Sequence, residues 1–349
     1  MESLKNLPAI GDMSKSEIVD LLLKEEYGYL PKQPQKIEAE SVEEAKFTFC
    51  AGKAKLFKII LKCTLDNSTF SFPIYYTKLT GVQEKVPCFI MINFRADVPD
   101  RYLPSEELVD AGYAVLSFGY KDVTSDDGDF TNGLAGVVYK NGERDDTQCG
   151  KIGLWAWAAM RVMDYAVTLP ELDCSKISVA GHSRLGKTAL LAGALDERFY
   201  CAFSNDSGCS GASLSRGKTE ENEDIKSICT NFPYWFCEHY KIYMDNEDSL
   251  PFDQHFLLAA NVPHRVYAAS AAEDLWADPD KEYLSCAAAS DYYKKHGMTG
   301  FVSDKALPEV GDVFHDGHIG YHLRKGKHYF SREDWNRFIE YLDLSYRRD

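Results

Sequence analysis

Ser183 is the first candidate for covalent chemistry in this chain. It lies in the stretch KISVAGHSRLGKTALLAG, where an apolar run ends at Gly181 and an alanine- and leucine-rich segment follows the serine. A strand that turns sharply into a helix exposes such a serine, and the next backbone N–H points at the oxyanion of an acyl-transfer reaction. Gly181 is the small residue that this turn needs, but Leu185 stands where the G-x-S-x-G motif has its second glycine. The stretch alone fits both a nucleophile and a serine that only caps a helix.

His328 is the candidate general base for Ser183. It follows a strand-like segment, Ile319–Arg324, and a Lys325-Gly326 turn, and it precedes the final helical segment. Hydrolases with a serine at a strand-to-helix turn supply the acid and then the histidine later in the chain. The order of the residues therefore favours catalysis over a surface histidine near a helix start.

Two aspartates are candidates for the acid of the triad. Asp274 follows the apolar strand Arg265–Ala271, and Asp206 follows the preceding strand, Cys201–Ser204. Either carboxylate could hold the second imidazole nitrogen and stabilise the imidazolium. Asp278 is a weaker third option, because its place beside a proline fits a helix cap better. The residues themselves leave the choice between Asp274 and Asp206 open.

The predicted reaction is a two-step acyl transfer. His328 would take the proton of Ser183, the serine would attack an ester carbonyl, and backbone N–H groups would bind the oxyanion. One donor is the N–H of Arg184. Another is expected in the loop after VPCFIMINF, near Phe94 or Arg95.

A metal site is the rival hypothesis. The segment HDGHIGYH contains His315, Asp316, His318 and His322, and clustered histidines can bind zinc. His318 and His322 bracket a predicted strand, which separates them by ~13 Å along an extended chain. One zinc ion could not easily bind both, so we expect no metal and no cofactor.

The elements that would position these residues alternate along the chain. From Val86 onward, buried strand-like runs alternate with helical segments, and the final helix begins with a capping box, Ser331 with Asp334. This alternation predicts a mostly parallel sheet with helices on both faces. Three earlier strand-like stretches, separated by the turns Ala51-Gly52 and Asp66-Asn67, predict an antiparallel edge: Ile37–Phe49, Lys55–Leu65 and Thr69–Tyr76.

The predicted fold class is therefore α/β. We expect an α/β-hydrolase fold, a three-layer sandwich, as a single domain over residues 1–349. Residues 1–84 would form the N-terminal helix and the antiparallel strands. Residues 208–263 interrupt the alternation and predict a partly helical insertion, a wall or lid over the active site. Within this insertion Trp235, in NFPYWFCEHY, could stack on a sugar or anchor the segment in the interior.

The composition narrows the class of partner. The 349 residues carry a net charge of -15 and no long basic run, which disfavours nucleic acid. The N-terminal stretch lacks the pattern of a signal peptide, and no apolar run reaches the ~20 residues of a membrane span. Ten scattered cysteines without a C-x-x-C pair are typical of reduced thiols, so we expect a cytoplasmic protein.

The stretch around Ser183 also resembles a motif of a known family. GHSRLGK is similar to the G-C-S-R-x-G-K motif of the glucuronoyl esterases, carbohydrate esterase family 15, and of neighbouring acetyl-xylan-esterase-like hydrolases. The resemblance extends over most of the chain after Lys85 and includes LPFDQH, DLWADP and the closing pattern G-x-H…DW. It implies an α/β hydrolase that acts on a carbohydrate ester.

The resemblance implies roles for individual side chains. Ser183 would be the nucleophile, and Arg184 would be the oxyanion-hole residue through its backbone N–H and its guanidinium. Lys187 would contact the hydroxyl groups of the sugar, and Trp276 would line the sugar site.

Two departures from the family pattern are relevant here. The family's cysteine before the serine is His182, and Tyr329 stands where a second cysteine would follow His328, so the disulfide of secreted fungal members is absent. Family members often place a glutamate at the position of Asp206, and others use an aspartate near Asp274. Because an aspartate is shorter than a glutamate, Asp274 is the preferred acid.

The sequence thus predicts a serine carboxylic-ester hydrolase with a small or oligosaccharide ester as substrate, and with no nucleic-acid or membrane partner. The glucuronoyl ester is the first choice, and an acetyl ester of xylan or another sugar is the alternative. A metal-dependent hydrolase and a non-catalytic binding protein are the less favoured hypotheses.

Overall fold

The computed structural model describes residues 6–43, 48–66 and 68–349. Over these residues ten strands form one sheet. In chain order they are β1 Lys36–Glu43, β2 Ala54–Leu65, β3 Ser68–Leu79, β4 Val86–Asn93, β5 Ala114–Gly119, β6 Leu172–His182, β7 Cys201–Asn205, β8 Arg265–Ala271, β9 Val313–Phe314 and β10 Ile319–Arg324. Their order across the sheet is β1-β2-β3-β5-β4-β6-β7-β8-β10-β9.

The middle of the sheet is parallel, as predicted. Strands β5, β4, β6, β7, β8 and β10 pair in parallel, and apart from the start of β6 nearly all of their residues are buried on both faces of the sheet. Continuous apolar sequence is what such doubly covered strands require. Because the carboxyl ends of parallel strands meet at one edge, the loops that carry Ser183, Asp206, Asp274 and His328 lie side by side.

The antiparallel edge is also confirmed. β1 pairs with β2, β2 with β3, and β3 with β5, all antiparallel. The predicted first strand was too long: it ends at Glu43, residues 44–47 lie outside the described residues, and Phe49 begins a 3₁₀ turn. Asn67 of the second predicted turn lies outside the described residues as well. The short strand β9, antiparallel to β10, was not predicted.

Ten α-helices cover the sheet within the described ranges. They are α1 Lys15–Leu22, α2 Ser105–Asp110, α3 Tyr120–Val123, α4 Gly133–Val138, α5 Lys151–Ala166, α6 Arg184–Leu195, α7 Ile225–Asn231, α8 His255–Ala259, α9 Pro279–Lys295 and α10 Arg332–Tyr346. A π-helical turn, Leu23–Tyr27, continues α1. Across this described part of the chain, no helix is both long and apolar enough to cross a membrane.

The helices form two layers around the sheet. On one face, α5, α6, α8 and α9 bury residues such as Ile152 and Leu190 against Ile90 and Val179. On the other face, α2 and α10 bury Trp335 and other apolar side chains against alternate strand residues. Since successive strand residues point to opposite faces, the two apolar clusters are the two sides of one sheet. The predicted three-layer arrangement is confirmed.

Two helix starts follow the predicted capping chemistry. The hydroxyl of Ser331 accepts from the Asp334 N–H, and the Asp334 carboxylate accepts from the Ser331 N–H, which forms the predicted capping box. Asp278 is the N-cap of α9, and its side chain accepts from the Lys281 N–H. The interpretation of Asp278 as a cap is confirmed.

Residues 208–263 hold α7, α8 and the 3₁₀ turns Glu238–Tyr243 and Glu247–Ser249. The predicted partly helical character of this insertion is confirmed. Its Glu223 N–H donates to the carbonyl oxygen of Trp276 at 2.9 Å, which fixes the insertion to the loop after β8. The insertion thereby forms one wall beside the carboxyl ends of the strands.

Candidate active site

Ser183 is the single residue between the end of β6 and the start of α6. Its backbone has φ 59° and ψ -128°, a conformation that costs a residue with a Cβ about 1–3 kcal/mol. A Cβ on Gly181 would lie 2.0 Å from the carbonyl oxygen of Leu185, so only glycine fits there. This strained corner is the turn that presents a serine hydroxyl at the edge of a parallel sheet.

The second glycine of the turn has moved by one position. A Cβ on Gly186 would lie 2.9 Å from Ser204 Oγ and 3.1 Å from Ser207 Cβ, while Leu185 is fully buried in the core. The close approach between α6 and the end of β7 therefore falls at Gly186. The second glycine thus lies at position 186, one residue later than in G-x-S-x-G, and the strand-to-helix turn at Ser183 still forms.

His328 and Asp274 form a hydrogen-bonded pair. Nδ1 of His328 lies 2.6 Å from Asp274 Oδ2, and the aspartate side chain is 7% exposed against 44% for the histidine. An aspartate can only accept at neutral pH, so the proton is on Nδ1 and Nε2 is left as an acceptor. This is the tautomer that a general base for a serine requires.

A cavity of about 350 Å³ brings the candidate residues together. Its lining consists of Ser183, Arg184, Lys187, Asp206, Ser207, Gly208, Glu223, Phe232, Trp235, Asp274, Trp276, Ala277 and His328. The nucleophile candidate, the base candidate and both acid candidates thus border one space, as the order of their strands predicted.

Asp206 reaches this site but bonds to other groups, which corrects its candidacy as the acid. Its Oδ1 accepts from the Ala271 N–H at 2.7 Å, and its Oδ2 accepts from the Arg324 guanidinium at 3.1 Å. Complete burial raises the pKa of Asp206, the neighbouring Asp334 adds to this, and Arg324 opposes it. Asp206 therefore bonds to Ala271 and Arg324, and Asp274 is the carboxylate that bonds to His328.

Arg184 is held by a carboxylate that the sequence did not single out. Its guanidinium pairs with Asp126, whose side chain is 5% exposed, and stands 4.5 Å from the ring centroid of Trp235. Its Nε is buried and has no hydrogen-bond partner among the described residues. As the first residue of α6, Arg184 also has a backbone N–H with no acceptor inside the helix.

Asp126 joins three elements around that arginine. Its Oδ1 accepts from Trp235 Nε1 at 2.8 Å, its Oδ2 accepts from the Tyr120 hydroxyl at 2.9 Å, and its carbonyl oxygen accepts from Tyr234 at 3.1 Å. The insertion and the residue after Ser183 therefore share one carboxylate. No motif marks Asp126 in the sequence, because its neighbours Ser125 and Asp127 read as an ordinary polar loop.

The second oxyanion donor was predicted near Phe94 or Arg95, in the loop after β4. The Phe94 N–H donates to Asn93 Oδ1 at 2.8 Å, and the Arg95 guanidinium pairs with Asp100. Neither Phe94 nor Arg95 lines the cavity. The Phe94 N–H is thus already bonded within the loop after β4, and the backbone N–H of Arg95 stays a predicted oxyanion donor.

Lys187 lines the cavity, but its ammonium group is already satisfied. Nζ is buried and donates to the carbonyl oxygens of Ser207 and Cys209 at 2.5 Å each and to Glu223 at 3.2 Å. An ammonium has three N–H donors, so none is left for a sugar hydroxyl. In this structure Lys187 braces the wall of the cavity, which corrects its assignment as a direct substrate contact.

The two predicted tryptophans differ in exposure. Trp276 is 46% exposed and presents its ring at the cavity. Trp235 is 2% exposed and stacks on Phe232 at 3.8 Å between ring centroids. Trp276 is thus the more accessible platform for a ligand, while Trp235 lies in the wall.

His182 contacts the candidate base directly. The ring centroids of His182 and His328 lie 4.4 Å apart, and His182 Nδ1 is 2.6 Å from Asn205 Oδ1. Burial, with a smaller contribution from His328, lowers the pKa of His182 to about 3. A neutral ring therefore packs against the base where the resemblance places a cysteine.

The histidine segment considered for a metal is used differently. His315 and His322 both bond to the Tyr267 hydroxyl, and His322 also bonds to Asp334 at 3.0 Å. His318 bonds to the carbonyl oxygen of Thr299. Across residues 6–43, 48–66 and 68–349, the one cluster with metal-ligand spacing is Asp206, Asp274 and His328, which belongs to the site above.

Comparison with known proteins identifies the family. The sequence model described as "Glucuronyl esterase, fungi" matches residues 61–297. The carbohydrate esterase MZ0003, from an unknown prokaryotic organism, is 42% identical over 240 residues, which cover 68% of this chain and 55% of that protein. The 4-O-methyl-glucuronoyl methylesterase 1 of Wolfiporia cocos is 28% identical over 313 residues, 87% of this chain and 71% of that protein.

A solved structure extends the match to nearly the whole chain. It is described as a promiscuous CE15 esterase from the marine bacterial metagenome, and it is 30% identical with a TM-score of 0.83. The match covers 97% of this chain and 95% of that one. The predicted α/β-hydrolase fold and the predicted resemblance are both confirmed, and the chain belongs to the glucuronoyl esterase family, carbohydrate esterase family 15.

Proposed function

We propose that this chain is a serine esterase that hydrolyses glucuronoyl esters of carbohydrates. The observation that carries this proposal is the bond of 2.6 Å between His328 and Asp274 in the same cavity as Ser183, a serine on a strained turn. The substrate class is supported by the name of the Wolfiporia cocos relative, a 4-O-methyl-glucuronoyl methylesterase. The chain spans 55% of the length of MZ0003, so the activity of the whole protein is part of the proposal.

Ser183 would act as the nucleophile and His328 as the general base. Asp274 would be the carboxylate of the triad. Nε2 of His328 takes the Ser183 proton as Oγ attacks the ester carbonyl, and Asp274 stabilises the imidazolium that forms. The imidazolium then protonates the departing alcohol, and water releases the acyl group by the same steps in reverse order. The exposed face of His328 leaves room for the alcohol and the water.

Arg184 would stabilise the oxyanion. Its backbone N–H opens α6, where the helix dipole also favours negative charge, and its Nε–H has no acceptor within the described part of the chain. Removing one donor of this kind costs about 3–4 kcal/mol of barrier in related chemistry. Asp126 keeps the guanidinium beside the serine without occupying Nε.

The sugar would lie between Trp276 and the insertion. The exposed Trp276 ring can cover an apolar sugar face. Glu223 lines the same cavity, and its Oε1 accepts no hydrogen bond within the described residues. Hydroxyl recognition therefore falls to Glu223, with Lys187 holding that carboxylate in place.

The compartment remains a prediction. All ten cysteines lie among the described residues and are free thiols, and nine of them are buried. Such thiols support a reducing environment such as the cytoplasm.

A substrate panel tests the proposal. Initial rates are measured on the methyl ester of 4-O-methylglucuronate, on acetylated xylo-oligosaccharides and on p-nitrophenyl acetate, for wild type and Ser183→Ala. We expect the highest kcat/KM on the glucuronate ester and a loss of about 10⁴-fold or more in Ser183→Ala. Hydrolysis of acetyl esters alone would contradict the glucuronoyl assignment, and undiminished activity of Ser183→Ala would contradict the serine mechanism.

A further inference from the structure

Arg324 ends β10 four residues before His328 and is almost fully buried, with 4% of its side chain exposed. Its guanidinium is surrounded by the backbone that carries the histidine. Nη1 donates to the carbonyl oxygen of Lys325 at 3.1 Å and to that of Lys327 at 3.2 Å. Nη2 donates to the carbonyl oxygen of Tyr329. One side chain thus holds the peptide groups on both sides of His328.

The remaining donors of Arg324 reach two buried carboxylates. Its Nε–H is shared by the two oxygens of Asp334, each 2.9 Å away, and its Nη2 also donates to Asp206 Oδ2 at 3.1 Å. Both aspartate side chains have no exposed area. All five N–H groups of the guanidinium therefore have acceptors, which is the full capacity of an arginine.

The loop that Arg324 holds has few other constraints on its shape. Gly326 has φ 104°, and the loop belongs to no helix or strand. Two further bonds hold it: the Glu273 N–H, next to Asp274, donates to the carbonyl oxygen of Gly326 at 2.9 Å, and the Tyr329 N–H donates to Asp206 Oδ2 at 3.5 Å. The position of His328 relative to Asp274 thus depends on how firmly this backbone is fixed.

Asp206 is close enough to compete for the histidine. One carboxylate oxygen of Asp206, one of Asp274 and one imidazole nitrogen of His328 all lie within 4.8 Å of one another. The Asp206 carboxylate is held by bonds from the Arg324 guanidinium and from the Ala271 N–H, while His328 bonds to Asp274. A free carboxylate at this distance would offer the imidazole a second partner.

We propose that Arg324 is a positioning residue for catalysis, which fixes the backbone on both sides of His328 and, through its hydrogen bond to Asp206, reserves the imidazole for Asp274. The inference rests on the proposed function, because it takes His328 as the general base. A lysine would keep the positive charge, but its three donors share one atom and could not reach five acceptors at fixed angles. The arginine fork is therefore the property that matters.

Arg324→Lys is the test, with p-nitrophenyl acetate as the substrate and a fluorophosphonate probe for the reactivity of Ser183. We expect kcat and the labelling rate to fall by about 10–100-fold while KM stays within about two-fold, because a misaligned base slows the chemical step. Hydrogen exchange of the 325–329 amides should become faster.

Arg265→Lys is the matched control. Arg265 begins β8 and therefore lies at the amino ends of the parallel strands, away from the loops of the active site. Its side chain is 5% exposed. It donates to Asp349 at 2.7 Å and to the carbonyl oxygen of Gly317 at 3.3 Å. The control should lose thermal stability and keep its kcat within about two-fold. A folded Arg324→Lys with the kcat of wild type would overturn the proposal. Equal losses of kcat in both variants, in step with their Tm, would also overturn it.

Asp206→Asn covers the case in which Arg324→Lys does not fold. The amide keeps an acceptor for the Ala271 N–H and replaces the oxygen that accepts from Arg324 with an NH₂ group, which can only donate. We expect kcat to fall by about 3–10-fold, KM to stay unchanged and exchange of the loop amides to increase. Unchanged loop exchange in this variant would overturn the proposal.

The proposed function can fail separately. Its failure would appear as wild type that neither hydrolyses the ester panel nor reacts with the probe. The catalytic role of Arg324 then fails with it, and the exchange of the 325–329 amides decides whether Arg324 fixes the loop: faster exchange in the variants supports this, and unchanged exchange refutes it.

Discussion

Asp206 and Asp274 follow neighbouring parallel strands, border one cavity and differ in their partners. Asp274 faces an imidazole that is 44% exposed, with Nδ1 at 2.6 Å. Asp206 faces a buried guanidinium and a backbone N–H. Both loops therefore place a carboxylate at the same edge of the sheet. The role of each carboxylate depends on its partner, which is His328 for Asp274 and Arg324 for Asp206.

Asp126 shows the same division on the other side of the serine. It is a buried carboxylate paired with an arginine, Arg184, and it also accepts from Trp235 and Tyr120. An arginine stays charged at any pH of interest, so its aspartate has a fixed structural task. A histidine changes charge during the reaction, so its aspartate has a catalytic one.

Asp274→Asn should break this comparison most severely. The amide would favour the wrong imidazole tautomer, so kcat should fall by about 10⁴-fold with the protein still folded. Asp206→Asn is the matched change on the neighbouring loop, and about 3–10-fold is expected there. Steady-state kinetics on p-nitrophenyl acetate and circular dichroism of both variants provide the measurement.

The reverse ranking would exchange the roles of the two aspartates. If Asp206→Asn lost more activity than Asp274→Asn, Asp206 would be the working acid, and the pair with His328 seen here would be catalytically silent. Similar losses in both variants would mean that the imidazole uses both carboxylates.

The sequence predicted the side chains that stand directly at strand ends. Ser183, Asp274 and His328 follow apolar runs, and the parallel order of those strands places their loops together without further information. The elements themselves were mostly correct because continuous apolar runs and capping residues are local signals, such as Ser331 with Asp334.

What the sequence could not predict depends on distant contacts. Asp126 and Arg324 are polar residues in unremarkable stretches, and they gain their roles from partners more than a hundred residues away, Trp235 and Asp206. The resemblance assigned Lys187 to the substrate. The residues around Lys187 do not show that its ammonium group bonds to Glu223, which comes from the insertion. Phe94 was a candidate oxyanion donor because the sequence does not show that its N–H bonds to the side chain of Asn93.

After Asp274→Asn, the largest fall in kcat is expected for the double variant of Asp126→Asn and Arg184→Gln. Alone, Arg184→Gln should lower kcat by about 100-fold through loss of oxyanion stabilisation, and Asp126→Asn by about 10-fold through a poorly held guanidinium. If Asp126 acts through Arg184, it adds nothing further in the double variant. Kinetics of the four proteins on one ester measure this coupling.

Additive losses in this cycle would separate the two residues. Asp126 would then act through the wall formed by Trp235, with no contribution from Arg184. Trp235→Phe, which removes the Nε1–H bond and keeps a ring, serves as the control, and it should lower kcat less than Asp126→Asn.

Glu282 offers the mildest test, because it is a buried carboxylate without an arginine. It accepts from the N–H groups of Ser207 and Gly208 at 2.9 Å each, and burial raises its pKa from 4.5 to about 7. The folded protein therefore holds this proton more tightly than the unfolded chain, and stability is lost as the pH rises from 4.5 through 7. Glu282→Gln should remove that loss, which amounts to about 3 kcal/mol.

The expected readout for Glu282 is a difference in Tm between Glu282→Gln and wild type that is constant below pH 4.5, grows in favour of the variant up to about pH 7 and is constant above it. Glu333→Gln, on an exposed turn of α10, is the matched control for replacing a carboxyl group by an amide at an exposed site. A difference for Glu282→Gln that is independent of pH would mean that Glu282 is ionised in the fold as readily as in water. Glu282, which is buried without an arginine partner, would then ionise as readily as a carboxylate that is paired with an arginine.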